Sequence, residues 1–160
     1  MLPKLPALIA LAALAAAPAA ADVTASFKGI GGTVAAVAAP KGVLLRIDAS
    51  GLTPGWHAVH FHEKGTCDDA RFKASGSHTH MAMPAVHGLL NPAANDTGDL
   101  PNIYAGADGT AKAELFTTLV TMATLQDADG SAVVVHAKAD DYSTQPIGGA
   151  GDRIGCAVIK

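Results

Sequence analysis

Residues 56–63 read Trp56-His57-Ala58-Val59-His60-Phe61-His62-Glu63. The stretch alternates as a strand does, with neighbouring side chains on opposite faces, but histidine fills its polar positions. His60 and His62, two apart, share a face. His57, three before His60, falls on the other. Further runs of β-branched and small apolar residues lie to either side, at residues 24–27, 33–39, 43–47, 103–105, 113–116, 132–137 and 156–159. Turn formers separate them: Gly31-Gly32 and Asp108-Gly109 as hairpin signals, Asp48-Ala49-Ser50-Gly51 and Asp127-Ala128-Asp129-Gly130 as strand boundaries. No segment has a convincing helical period. Short strands with frequent turns predict an all-β fold, an eight-stranded Greek-key barrel or sandwich. Two stretches break the rhythm: residues 64–100, rich in Gly, Pro, His and Asp, and the Gly-rich residues 139–153. Loops this long in a compact domain are usually functional.

A chain of 160 residues is sized for one domain. Aromatics are only 4% of it, so small and β-branched residues must do most of the packing. Residues 1–21 read as a secretory signal peptide: Lys4, an apolar run over 5–17, Pro18, then Ala19-Ala20-Ala21 with cleavage before Asp22. An uncleaved membrane anchor would need about 20 apolar residues. The expected mature domain is 22–160, exported, periplasmic if the source is Gram-negative, and not membrane-bound. Losing Lys4 takes the formal charge from -3 to -4. With no basic run and no aromatic platform, a nucleic-acid partner is not expected. Cys67 and Cys156 form an even pair, which favours a disulfide in an exported protein over two buried thiols.

The histidines carry the chemistry. All seven lie between His57 and His136. His60 and His62 can meet one metal ion from a single strand face, and His136, ending the run Val133-Val134-Val135, brings a third imidazole from another strand. A nitrogen-rich set of this kind favours copper. A second set follows in the first long loop: His78, His87, Asp96 and Asp99. Imidazoles and carboxylates in that number suit tetrahedral zinc. One histidine, metallated at both ring nitrogens, can bridge two ions.

The series His60-Phe61-His62-Glu63-Lys64-Gly65, Cys67, Gly76-Ser77-His78, His87-Gly88, Gly98-Asp99-Leu100-Pro101-Asn102, His136-Ala137-Lys138-Ala139-Asp140-Asp141 and Gly151-Asp152-Arg153-Ile154-Gly155-Cys156 resembles, in order and spacing, the copper/zinc superoxide dismutases. The resemblance covers essentially the whole mature chain and is nearer the bacterial exported branch than the cytosolic animal one. It implies disproportionation of superoxide to dioxygen and hydrogen peroxide. His60, His62, His78 and His136 would bind copper. His78 would bridge to zinc and serve as proton source, with His87 and Asp99 as further zinc ligands. Asp140 would hold a copper histidine and His87 by hydrogen bonds, Arg153 would guide the anion, and Cys67–Cys156 would be the family disulfide. Asp96 stands where the family usually has histidine; as a zinc ligand it puts two carboxylates on one ion. His80 is an extra histidine, read as a solvated loop residue, with a substitute zinc ligand as the alternative. His57 and Trp56 read as structural, and Met81 and Met83 as gap fillers in the loop rather than a Cu(I) site. A non-catalytic copper carrier on the same barrel would have no need of Arg153. An immunoglobulin-like adhesion domain would leave the ordered histidines unexplained. A homodimer is admitted by the sequence but not required by it.

Overall fold

The computed structural model describes residues 21–160, so the expected leader lies outside the described residues apart from Ala21. Three strands open the chain as a meander: β1 (Val23–Ser26), β2 (Gly31–Ala39) and β3 (Gly42–Ser50). The chain then crosses to a second layer through β4 (Gly55–His57), β5 (Val59–His62) and β6 (Ile103–Ala105). β7 (Ala111–Thr117) returns to lie antiparallel beside β3, and β8 (Ser131–His136) and β9 (Arg153–Ile159) close the second layer. The sheet orders are β1-β2-β3-β7, β4-β6 and β5-β8-β9. The return of β7 to β3, after an excursion through the opposite layer, is the Greek-key connection. Helix among the described residues is confined to α1 (Met122–Leu125) and one 3-10 turn at Lys73–Ser75.

The expected strand over 56–63 is one extended run divided at Ala58. β4 pairs with β6 on one side, and β5 pairs with β8 on the other. Ala58 itself donates to the Lys138 carbonyl, and its own carbonyl accepts from the His136 N–H, so the backbone stays satisfied through the break.

Two turn readings are corrected. Gly31-Gly32 does not form a hairpin tip. Both residues belong to β2, opposite Ser50 and Ala49, and the chain reverses at residues 27–30 instead. Gly32 has φ +103°, and a β-carbon there would strike the Asp48 carbonyl, so glycine is demanded by a close strand approach. Asp108-Gly109 does turn the chain, but it joins strands of different sheets. Trp56 is also not packed: it is 57% exposed and stands edge-on to Tyr104 across the β4–β6 pair.

The main core fills the space between the layers with Val34, Leu45, Ile47, Phe61, Leu100, Ile103, Val133, Val135 and Ile159 among others. Strand parity divides β8 between two environments. Val133 and Val135 face this core, whereas Ala132 and Val134 pack on the opposite side with Phe72, Cys67 and Cys156. β5 divides likewise, with Val59 and Phe61 in the core and His60 and His62 on the outer side. All four of its residues are buried, because the loop over 64–100 covers that outer side.

The Cys67–Cys156 disulfide ties this loop to β9 across 89 positions, with Cα atoms 5.9 Å apart. A closure of that length stabilises the folded state by about 4–5 kcal/mol on the chain-entropy account. The metal-free protein with its disulfide reduced is therefore expected to unfold at markedly lower denaturant than the oxidised form. Coincident urea transitions for the two would contradict that role for the bridge.

Candidate metal centre

His60 and His62 are completely buried, and His136 is 1% exposed. An imidazole removed from water needs a partner at each ring nitrogen. One nitrogen of each ring has one. His60 Nε2 lies 2.9 Å from Asp140 Oδ2, His62 Nδ1 3.0 Å from the Gly76 carbonyl, and His136 Nδ1 3.2 Å from the Gly151 carbonyl. The remaining nitrogens, His60 Nδ1, His62 Nε2 and His136 Nε2, have no hydrogen-bond partner, nor has His78 Nε2. Ligand atoms of these four residues all lie within 4.8 Å of one another. Four dry, partnerless nitrogens this close together fit a nitrogen-ligated ion such as copper.

His78 enters from the long loop, which forms a backbone bridge to His62 at this point. Its other nitrogen faces carboxylates: Nδ1 is 2.8 Å from Asp96 Oδ2 and 3.4 Å from Asp99 Oδ1. His87 Nδ1 points into the same space, 2.7 Å from Asp99 Oδ1 and 3.7 Å from Asp96 Oδ2. His87 Nδ1 and Asp99 Oδ1 make no hydrogen bond despite that closeness, which is how two ligands of a common cation approach each other. A second buried ligand grouping joins His60, His78, His87 and Asp99. His60 has its Nε2 committed to Asp140 and its Nδ1 turned toward the first set, so Asp96 is the better fourth donor on this side. This donor set fits zinc.

Asp140 joins the two halves. Oδ2 holds His60 at 2.9 Å, and Oδ1 holds His87 Nε2 at 3.0 Å. It is clamped in turn by a reciprocal pair of bonds with Asn102: the Asn102 amide donates to the Asp140 carbonyl and accepts from the Asp140 N–H. Gln145 does the same for His87, accepting from its N–H at 2.9 Å and donating to its carbonyl at 2.7 Å. Gly148, at φ +59°, leaves room for the Asp140 carboxylate, which a β-carbon would displace. Asn102, Gln145 and Gly148 are positioning residues that sequence reasoning missed. For Gln145 and Gly148 the Gly-rich character of residues 139–153 is the available signal. His57, as expected, is structural: its Nδ1 lies 2.7 Å from the His136 carbonyl and its Nε2 2.8 Å from that of Thr53.

The two halves differ electrostatically. Burial lowers the pKa of His60, and burial with the neighbouring His78 holds His62 well below its ordinary value. Burial takes His136 down to about 3. These rings are neutral near pH 7, as ligation requires. On the other side burial is outweighed by carboxylates: Asp140, Asp96 and Asp99 raise His87 to about 11, and Asp96 and Asp99 raise His78. The nearby His78 and His87 rings and the hydrogen bond from the Gly88 N–H overcome burial and hold Asp99 at about 2.

Arg153 starts β9 and is half-buried. It donates to the Phe72 carbonyl at 2.7 Å, to Ser75 Oγ at 3.2 Å and to the Gly76 carbonyl at 2.8 Å. Its charge bears on both His62 and His136. With Arg71 and Lys73 it lines an open cleft of about 640 Å³. His80 joins neither ligand set; its ring is fixed by a 2.9 Å bond from Nδ1 to the His78 carbonyl.

Comparison with known proteins agrees with this geometry. The family model described as copper/zinc superoxide dismutase matches residues 30–159. A Cu-Zn superoxide dismutase of Caulobacter vibrioides is 58% identical over 135 residues, covering 81% of this chain and 78% of that protein. One from Aquifex aeolicus is 38% identical over 126 residues, covering 75% and 73%. Among solved structures, the Cu/Zn superoxide dismutase of Brucella abortus superposes with a TM-score of 0.71 at 28% identity, covering 88% of this chain and all of the other. A superoxide dismutase-like protein of Bacillus subtilis gives 0.74 at 29%, with the same coverage. On the evidence of fold, ligand geometry and sequence together, the chain belongs to the copper/zinc superoxide dismutase family.

Proposed function

We propose that His60, His62, His78 and His136 hold the copper, and His78, His87, Asp96 and Asp99 the zinc, of an enzyme that disproportionates superoxide to dioxygen and hydrogen peroxide. The observation that carries the assignment is the set of four buried imidazole nitrogens without partners, on residues whose ligand atoms lie within 4.8 Å of one another. Copper, when bound, supplies the one-electron couple of the reaction, and zinc, having no redox chemistry, is structural.

The chain's own residues do the rest. Asp140 accepts from His60, and the Gly76 and Gly151 carbonyls accept from His62 and His136, so each ring is held in the tautomer that presents its free nitrogen to the ligand set. His78 stands in both sets, with Nε2 in the first and Nδ1 in the second. Nε2 is the atom at which a proton can be held and passed to departing peroxide. Arg153 supplies fixed positive charge at the entrance of a protein whose net charge repels anions. Focusing of that kind raises association rates by about 10–1,000-fold. Export to an oxidising compartment is supported by the leader-like residues 1–21 and by the disulfide.

Three outcomes are expected. His136→Ala should fold, with an unchanged far-UV circular dichroism spectrum, yet bind copper poorly and lose dismutase activity; full activity would refute the copper assignment. Arg153→Ala should keep its copper but react with superoxide about one to two orders of magnitude more slowly, and wild-type rates should fall with salt as screening shortens to about 10 Å at 0.1 M. An equally fast, equally salt-sensitive variant would remove the guiding role.

The third concerns protons. Metal-free His87, raised to about 11, carries a proton near pH 7 that zinc must displace, and His78 is shifted in the same direction, so zinc affinity should climb as pH rises toward the His87 value. His62 and His136 have lowered values and are already neutral. Calorimetry in buffers of different ionisation enthalpy should thus show zinc uptake releasing more protons than copper uptake. The reverse order would contradict the division of the two halves.

A further inference from the structure

Met81 and Met83 are 77% and 76% exposed, so they fill no gap in the loop, contrary to the reading from sequence. They are the most exposed of the large apolar side chains among the described residues; Met81 stands directly after His80 and Met83 two positions further on. The His80 ring is fixed through Nδ1–H donation to the His78 carbonyl, which leaves the Nε2 lone pair of the neutral ring as its remaining donor to a cation. His80 and Met81 line one cleft of about 470 Å³ together with Glu63 and Asp127, whose carboxylates favour a cation. No free cysteine competes among the described residues, and Met122 is buried, so the only exposed soft donors there are these two thioethers.

Thioether sulfur selects Cu(I) over zinc and over hard cations, and an imidazole nitrogen completes a set that Cu(I) accepts. Three rotatable bonds let each methionine reach a common ion from neighbouring positions. We infer that His80, Met81 and Met83 form a surface capture site for Cu(I), two residues along the chain from His78, from which the ion passes by ligand exchange, without change of oxidation state, to the buried imidazoles. The capture site is separate from both ligand sets of the centre; its purpose rests on the copper assignment made above.

The test uses the copper- and zinc-loaded protein, with Ag(I) as a redox-inert probe. Wild type should bind one further Ag(I) per chain, with shifts of the Met81 and Met83 methyl resonances. Met81→Leu/Met83→Leu, a volume-conserving change at exposed positions, should bind none and keep the activity of the loaded enzyme. Anaerobic loading of the copper-free, zinc-bound protein from a chromophoric Cu(I) chelate should be several-fold slower in the double variant, with the same final copper content. His80→Ala, measured alongside, should weaken Ag(I) binding as well. No Ag(I) uptake by wild type, uptake unchanged in the double variant, or equal loading rates would overturn the inference. Failure to obtain a protein with copper and zinc at the buried centre would instead count against the proposed function.

Discussion

The outer face of β5 is dry although it is made of two histidines, and this constraint organises the molecule. An imidazole buried with an unsatisfied nitrogen carries a desolvation penalty of about 1–3 kcal/mol, and four such nitrogens converge here. Each ring is half-satisfied by the protein itself, through Asp140, Gly76 or Gly151, or for His78 through the acidic cluster. The protein thus fixes every ring and leaves one direction open. The loop over 64–100 dries the face, the loop over 139–153 brings Asp140, and the barrel supplies a strand pair, β5 and β8, stiff enough to keep the geometry.

Charge separates two sites that share a ring. Around His62 and His136 the neighbours are imidazoles and Arg153, and burial keeps the rings neutral. Around His87 they are Asp96, Asp99 and Asp140. His78 has one nitrogen in each environment. Asp96 strengthens the contrast, because a carboxylate there adds a negative charge that a histidine would not. It also serves the loop itself, accepting from the Gly98 N–H through the oxygen that does not face His78.

Much of this was legible in the sequence because it depends on local periodicity. The i, i+2 relation of His60 and His62, and the alternation that sends Val133 and Val135 inward, follow from strand geometry alone. The ordered motif series did the rest for His78, His87, Asp99, Asp140 and Arg153. What could not be read depends on long-range backbone placement. Ala58 looks like any strand residue, yet the extended run changes partners there. Gly31-Gly32 has the composition of a turn, but the crowding that demands glycine comes from Asp48 on a neighbouring strand. The acceptors at Gly76 and Gly151 are main-chain oxygens, which no residue type announces. Gln145 and Asn102 act by clamping another residue's backbone, a role invisible without the partner. Trp56, Met81 and Met83 have the residue types of packing side chains, yet they lie on the surface.

The Gly76 carbonyl accepts from both His62 and Arg153, so the proposed metal ligand and the proposed anion guide hang on one oxygen. The loop bearing that oxygen contains Cys67, and the strand bearing Arg153 reaches Cys156 three residues later. One covalent bond therefore sets the alignment of both. In reducing surroundings the chain would keep every ligand in its sequence but lose the tether that holds them in register, and the entrance would slacken with the centre. The compartment thus acts as a licence: the chemistry becomes competent where the surroundings are oxidising enough to keep the bridge closed.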